Sequence, residues 1–208
     1  MPRRLLQLGL GLVLYGVSMG LLVQSQLGVM PWDVLHQGLA RRLDLSLGLV
    51  TGIVGVLVLL AWIPLRERPG IGTVANVVVI SVAVDATLAV LPEMDEPTGR
   101  IGFAAAGIVL NAVATAAYIG VRLGPGPRDG LMTALVRRTR FSVRLVRTSI
   151  EVLVVLAGVI LGGTLGVATV LYALAIGPLT QLLVPYLVIH LPSDVPDALP
   201  VPVGQAGA

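Results

Sequence analysis

Residues 27–35 read LGVMPWDVL, and 96 residues later the segment 123–131 reads LGPGPRDGL. The two segments share a Leu-Gly start, then a Pro, an Asp and a final Leu at matching positions. The same spacing continues without a gap and pairs further polar and apolar residues: Leu39, Arg41, Arg42 and Ser46 with Leu135, Arg137, Arg138 and Ser142. Chance matches of Leu are common in apolar helices, but matches of Gly, Pro, Asp and an Arg pair are not. The sequence therefore predicts an internal repeat, with units at about residues 5–95 and 101–190.

The composition of the chain indicates a membrane protein. Of its 208 residues, 56% are hydrophobic and only 12% are charged, and the mean hydropathy is +0.95. Soluble domains have about 25% charged residues, and a bilayer-spanning helix needs about 20 apolar residues. The chain has six apolar runs of suitable length: about 5–24, 47–65, 72–91, 101–121, 148–163 and 167–189. We expect an all-α polytopic protein with one membrane domain over residues 1–190, followed by a disordered, Pro-rich cytoplasmic tail over 191–208.

The arginines predict the orientation of the spans. With six spans and the N-terminus inside, 11 arginines fall on the inner side and 3 on the outer side, namely Arg41, Arg42 and Arg100. Cytoplasmic loops carry the excess of basic residues, so both termini are predicted to be cytoplasmic. Each repeat unit then holds three spans, and the second unit enters the membrane from the opposite side. Two inverted three-helix repeats are common among secondary transporters.

Each unit also carries a short helix that begins at a proline, Pro31 or Pro127, with Asp33 or Asp129 in its first turn. Proline suits the first turn, and a carboxylate complements the free N–H groups there. The pair is either re-entrant, with hinges at the prolines and N-termini meeting near mid-membrane, or interfacial and amphipathic. On the cytoplasmic face the second copy is predicted to contact anionic lipid headgroups through its arginines: Arg137, Arg138, Arg140 and Arg144.

Trp32 aligns with Arg128 in the repeat. If both residues face one pathway, that pathway is chemically asymmetric. Alternatively, Trp32 belongs to the aromatic belt at the membrane surface and Arg128 contributes to orientation.

Polar residues inside the apolar runs are candidates for a substrate or ion pathway, since they are costly in lipid. These are Asp85 and Asn76 in the third run and Asn111 in the fourth; the alternative for each is a hydrogen bond between helices. Glu151 and Arg147 are one turn apart and predict an ion pair near the interface.

The sixth run contains Gly177-Pro178 near its middle, which predicts a kink or break, because proline removes a helix hydrogen bond. Thr180 and Gln181 follow and are pathway candidates if the helix is broken there. Otherwise the kink serves packing. Elsewhere Gly16 with Gly20, and Gly48 with Gly52, have the spacing of close helix–helix contacts.

No catalytic or metal-binding set is visible in the sequence. The chain has no Cys, and its two histidines, His36 and His190, are far apart. It has no Gly-Lys-Ser/Thr phosphate loop and no nucleophile or zinc motif. We therefore expect a protein that is not an enzyme and has no metal, cofactor or nucleic-acid partner.

Three segments resemble a known family. Residues 26–39 (QLGVMPWDVLHQGL) carry most of the resemblance, supported by 64–73 (PLRERPGIGT) and 171–181 (LYALAIGPLTQ). They resemble the YczE/YitT-like integral membrane proteins of bacteria, over about residues 5–185. The resemblance implies a multi-pass protein of the bacterial cytoplasmic (inner) membrane and adds no substrate or site residue.

The leading expectation for function is a small transporter or permease, with a pathway at the interface of the two repeats. Asp33, Asp129, Asp85 and the Gly177–Gln181 segment would line that pathway. The competing expectation is an accessory or scaffold protein that acts through a partner in the bilayer. A homo-oligomer is compatible with either.

Overall fold

A computed structural model describes residues 1–189, and this part of the chain folds into eight α-helices without a strand. The predicted tail, 191–208, lies outside the described residues. In chain order the helices are α1 Pro2–Ser25, α2 Pro31–Leu43, α3 Leu47–Leu65, α4 Ile71–Val90, α5 Pro97–Gly120, α6 Pro127–Thr139, α7 Val143–Ile160 and α8 Val167–Leu187. The all-α class and the two short helices of the sequence analysis are confirmed.

Five of these helices, α1, α3, α4, α5 and α8, are long and apolar enough to cross a membrane. Many of their large apolar side chains are exposed, as expected for helices that face lipid. The described chain is therefore a multi-pass helical membrane protein. By this measure α7, which corresponds to the fifth predicted span, does not qualify, because it begins at Val143 and not near Thr148. Its 18 residues therefore include Arg144, Arg147 and Glu151.

The order of helices repeats along the chain. A long helix, a short helix and two further helices occur twice, with equivalent starts 95 or 96 residues apart. The first turns repeat as well: Ser46 caps α3 and Ser142 caps α7 through their side chains. The positive-φ residues within 1–189 also fall into pairs 96 residues apart: Gln26 with Arg122, Gly28 with Gly124, Asp44 with Arg140, and Arg66 with Gly162.

Helices α1 and α5 pack antiparallel at the centre of the bundle. Arg4, at the start of α1, donates from Nε to the Val121 carbonyl at 3.0 Å. Arg100, at the start of α5, donates from Nε to the Ser25 carbonyl at 3.0 Å. The two bonds join equivalent residues in exchanged order. Contacts of this reciprocal kind are typical of a two-fold relation.

The short helices pack across the two halves, α2 on α7 and α6 on α3. In one contact Gly158 lies against the backbone of Val34, and a side chain at Gly158 would have no room. In the equivalent contact Trp62 covers Gly130 and donates from Nε1 to the Pro127 carbonyl at 3.1 Å. In the first contact the glycine belongs to the longer helix, α7, and in the second contact it belongs to the short helix, α6.

Candidate functional site

A cavity of about 320 Å³ lies between the two halves of the chain. We call it the central cavity. Both short helices reach it with their first turns, and the six longer helices complete its wall. The lining includes aromatic, polar and charged side chains: Tyr15, Trp32, Thr51, Asn76, Thr115, Tyr118, Arg128, Asp129, Arg147, Glu151, Tyr172, Thr180 and Gln181.

The N-termini of α2 and α6 meet at this cavity. Pro31 and Pro127 occupy the first turns of the two helices, and both are buried. The guanidinium of Arg128 lies 4.8 Å from the centre of the Trp32 ring, within the range of a cation–π contact. Trp32 and Arg128, which align in the sequence, are thus in direct contact, and both line the same cavity.

The two first-turn aspartates differ in their surroundings. Asp33 is 1% exposed; its Oδ1 lies 3.7 Å from Arg128 Nη2 and 3.1 Å from His36 Nδ1. Its second oxygen, Oδ2, is buried without a hydrogen-bond partner among residues 1–189. Asp129 lines the cavity, and its Oδ2 accepts a hydrogen bond from the Tyr118 hydroxyl at 2.6 Å.

Helices α7 and α8 contribute several polar side chains to the central cavity. Arg147 and Glu151 make the expected ion pair, with 3.0 Å between Nε and Oε1, and both line the cavity. Thr180 and Gln181 lie opposite on α8, where Thr180 Oγ1 is buried without a partner among the described residues. Unlike α3 and α4, which pack together, α7 and α8 make almost no contact with each other.

The cavity lies toward one end of the bundle. Gln7, near the start of α1, donates to the carbonyls of Ala117 and Leu187, so the ends of α5 and α8 lie at this end. The lining residues of α5 lie near its end, and those of α7 lie in its first half. At the other end α2 closes on α7: Thr164 N–H donates to Gln37 Oε1 at 2.8 Å, and Arg41 donates to the Gly162 carbonyl.

The polar residues predicted inside the spans separate into three environments. Asn76 lines the cavity. Asn111 is buried behind the wall, where its Nδ2 donates to Ser18 Oγ at 2.8 Å and its Oδ1 accepts from the Tyr172 hydroxyl at 2.7 Å. Asp85 is not part of the cavity lining.

Asp85 serves the packing of α4 on the start of α3. Its Oδ1 accepts from the Gly48 N–H at 2.7 Å, and its Oδ2 accepts from the Ser46 hydroxyl at 2.6 Å. A carboxylate in this position binds the free N–H groups of the first helical turn. The contact corresponds to the alternative of a hydrogen bond between helices.

Of the kink or break predicted at Gly177-Pro178, the break is wrong, and the kink stays a prediction. Helix α8 continues through both residues to Leu187. A proline removes only one donor from the helix ladder, and membrane helices often accommodate that loss. Gly177 nevertheless faces the central cavity, and no atom lies within 4 Å of the position where its side chain would begin.

Two of the four arginines expected at lipid headgroups have partners within the chain. Arg137 makes an ion pair with Glu67 at 2.6 Å, and Arg138 Nη2 donates to the Pro64 carbonyl at 2.8 Å. Both contacts tie the end of α6 to the end of α3. Arg140 ends α6 in a left-handed conformation, and Arg144 is exposed on α7.

The sequence analysis missed the tyrosines of the cavity wall, Tyr15, Tyr118 and Tyr172. Tyr15 lies in the middle of a predicted span, whereas aromatic residues of membrane proteins concentrate at the span ends. The mid-span position of Tyr15 was therefore the feature of the sequence that could have indicated a residue of the cavity wall. No group of three or more His, Asp or Glu residues suited to a metal ion occurs within residues 1–189.

Comparisons with known proteins agree with the membrane fold. A relative from Haemophilus influenzae, described as an uncharacterized protein, is 39% identical over 82% of this chain and 78% of its own. The uncharacterized membrane protein YczE of Bacillus subtilis is 32% identical over 84% of this chain and 82% of its own. The uncharacterized protein YyaS of the same organism is 23% identical over 88% and 92%.

No solved structure matches the chain. The family of unknown function DUF6198 matches residues 2–185. This range includes all of α1 to α7 and almost all of α8, and with them every residue that lines the central cavity. The YczE-like resemblance of the sequence is thereby confirmed, and the chain belongs to the family DUF6198.

Proposed function

We propose that the protein is a small transporter or permease of the bacterial cytoplasmic membrane, with its pathway through the central cavity. One observation carries the proposal: a cavity between the two halves holds arginine and carboxylate side chains within a bundle of apolar helices. Ionisable groups at such a place usually serve substrate or ion pathways, because burying them is costly.

The proposal includes six spans arranged as two inverted three-helix units. The antiparallel packing of α1 on α5 and the reciprocal bonds of Arg4 and Arg100 support it. For α7, the support is the placement of its side chains. Arg147 and Glu151 line the cavity, while Leu153, Leu156 and Ile160 are exposed. A spanning helix whose polar face borders a cavity needs an apolar surface only toward lipid.

The proposal also treats α2 and α6 as re-entrant helices. Their first turns are buried at the centre, and Arg128 of α6 lies beside Asp33 of α2. Helices lying flat at opposite membrane surfaces could not bring these two side chains within 3.7 Å of each other. With the arginine-rich side in the cytoplasm, the cavity opens inward and the α2–α7 contact closes the outer end.

Cysteine labelling tests this arrangement, and the Cys-free chain offers a clean background. Single cysteines would replace Asp44, Asp95 and Arg140, and intact cells would be treated with a membrane-impermeant thiol reagent. We expect labelling at positions 44 and 95 and none at 140 without permeabilisation. Labelling of intact cells at both 44 and 140 would contradict inverted units.

Transport itself is tested with liposomes that contain the purified protein. They would be incubated in a bacterial metabolite extract, filtered, and analysed by mass spectrometry for retained solutes. Gly177→Trp should abolish retention, because the new side chain enters the open space of the cavity. Gly102→Trp is the matched control, since Gly102 also has no neighbour within 4 Å but lies outside the cavity lining.

Retention by the Gly102→Trp variant and loss in the Gly177→Trp variant would support transport through the cavity. Equal retention by both variants, or by liposomes without protein, would contradict it. An accessory protein acting through a partner would then become the leading hypothesis.

Contact with anionic lipid at the cytoplasmic face remains part of the proposal. Arg140 and Arg144 are its best candidates, since both are exposed, whereas Arg137 and Arg138 already bind the end of α3. Basic residues beside a span are attracted to anionic headgroups. The enrichment of anionic over neutral lipid bound to the detergent-purified protein should fall when both residues are replaced by Gln.

A further inference from the structure

Each arginine in the wall of the central cavity already has a carboxylate beside it. Arg128 lies 3.7 Å from Asp33, and Arg147 lies 3.0 Å from Glu151. Opposite charges at these distances largely cancel each other's field within the cavity. Neither arginine is therefore a free anchor for an anionic ligand.

Asp129 is the remaining carboxylate of the cavity wall. It accepts a hydrogen bond from Tyr118, a neutral group, and no arginine of residues 1–189 forms an ion pair with it. A hydrogen bond from a hydroxyl stabilises the ionised carboxylate without removing its charge. Asp33 is buried behind Arg128 and is not itself part of the lining. Counted together with Asp33, the two arginines and three carboxylates at the cavity leave an excess of one negative charge, which attracts a cation.

Aromatic rings form part of the same cavity wall. Tyr118, which binds Asp129, makes an edge-to-face contact with Tyr15 at 6.3 Å between ring centres, and Tyr172 and Trp32 also line the cavity. Aromatic faces attract cations, and aromatic walls are the usual means of binding quaternary ammonium groups.

The wall already binds one cation in this manner. The guanidinium of Arg128 lies over the ring of Trp32 and beside the carboxylate of Asp33. The repeat places Asp129 at the position equivalent to Asp33, but the position equivalent to Arg128 in the other half is Trp32. Asp129 consequently lacks the internal cation that Asp33 has.

We propose that the central cavity binds a small monovalent organic cation, such as an ammonium or guanidinium compound with an apolar body, and that Asp129 is its counter-charge. The cavity volume of about 320 Å³ is within the range of sites for small organic ligands. The apolar wall, which includes Val54, Val77 and Ile150, would contact the body of the ligand. This inference rests on the proposed function and specifies its substrate class.

Binding of two probes of similar size and opposite charge tests the proposal on the unmodified protein. The protein would be held in nanodiscs of neutral lipid and titrated calorimetrically with phenyltrimethylammonium and with benzenesulfonate; empty nanodiscs provide the blank. We expect binding of the cation and no measurable binding of the anion. Equal binding of both, or preference for benzenesulfonate, would overturn the proposal, and so would the absence of cation binding.

Variants then assign the counter-charge. Asp129→Asn should weaken phenyltrimethylammonium binding roughly tenfold or more, because the charge-assisted contact is lost. Asp95→Asn removes the same charge from an exposed loop residue and should leave binding unchanged. Unchanged binding in Asp129→Asn would overturn the assignment. Asp129→Glu, which keeps the charge, should restore binding if the Asn variant folds poorly.

Failure here and failure of transport can be told apart, because calorimetry measures binding without movement of solute. Cation binding in nanodiscs without solute retention by liposomes would keep this inference and remove the transporter. Retention of anionic or neutral solutes, sensitive to Gly177→Trp, would keep the transporter and remove the cation.

Discussion

Helices α3 and α4 pack closely against each other, whereas the equivalent helices α7 and α8 make almost no contact. The packed pair meets through three glycines of α3. Gly48 lies against Ser81 and Asp85, while side chains added at Gly52 and Gly55 would lie 3.1 Å from Ser81 and Val77. Small residues of this kind let two helix backbones approach each other in a membrane.

The open pair lacks those glycines. At the equivalent positions 96 residues later, α7 carries Arg144, Thr148 and Glu151. These side chains are too large for a close approach to α8, and Glu151 with its partner Arg147 lines the central cavity instead. The same arrangement of helices therefore forms a tight interface or borders a cavity, depending on the size of three side chains on one helix face.

The largest expected effect is at the contact of α6 with α3. Trp62→Ala removes a buried ring that covers Gly130 and should lower the free energy of unfolding by about 3–5 kcal/mol. The measurement is denaturant titration in mixed micelles. Ile63→Ala, at the neighbouring exposed position, is the control and should cost far less. Similar losses in both variants would show that the contact of Trp62 with Gly130 is not what holds α6 on α3.

The glycine face itself gives the next largest effect. Gly48→Leu should cost about 3 kcal/mol, because the added side chain collides with the backbone of Ser81. Arg144→Leu, the same residue at the equivalent and exposed position of α7, should be nearly neutral for stability. Melting temperatures in mild detergent would compare the two. If both variants were equally stable, the contrast between the halves would not depend on these positions.

Replacing Asp85 should destabilise the protein more than replacing Gln181, which is at the equivalent position of the second half. Asp85→Ala leaves the Gly48 N–H and the Ser46 hydroxyl without their acceptor and should cost about 2 kcal/mol. Gln181→Ala changes an exposed residue of the cavity wall and should affect stability little. Binding of phenyltrimethylammonium should weaken in Gln181→Ala and stay unchanged in Asp85→Ala. Calorimetry on both variants would check this. Loss of binding in Asp85→Ala at full stability would return Asp85 to the pathway.

The smallest effect is expected at the ion pair of α7. Arg147 and Glu151 are partly exposed, so their coupling should be below about 1 kcal/mol. A double-mutant cycle with Arg147→Gln and Glu151→Gln measures that coupling directly. A coupling of several kcal/mol would mean that this pair is desolvated, and that α7 meets lipid or protein on its charged face.

Local sequence chemistry predicted most of the fold. The prolines marked the starts of α2 and α6, and the serines preceding α3 and α7 act as caps. The spacing of Gly16 and Gly20 correctly predicted a close contact, which the structure makes with Ala83 and Thr87 of α4. These features depend on residues that are close together in the sequence, so they can be predicted from the sequence alone.

The candidate site was only partly predictable, because its members come together through long-range packing. The alignment of Trp32 with Arg128 was visible in the sequence. Their direct contact was not, because it depends on how the loops before α2 and α6 position the two short helices. Asp85 and Asp129 look alike as polar residues near apolar runs, yet one holds a helix terminus and the other lines the cavity. Only the fold separates them. The charged start of α7 likewise obscured where that helix begins.

The four pairs of left-handed residues within 1–189 show which residues can occupy the same bend in the two halves of the chain. Gly28 and Gly124 are glycine in both copies, whereas Gln26 and Arg122, with φ of 54° and 53°, form one bend with different side chains, and so do Asp44 and Arg140, with φ of 56° and 59°. The same bend thus tolerates different residues within a single molecule. A protein engineer can therefore borrow a loop residue from one half for the other, with its backbone conformation already known to be accessible.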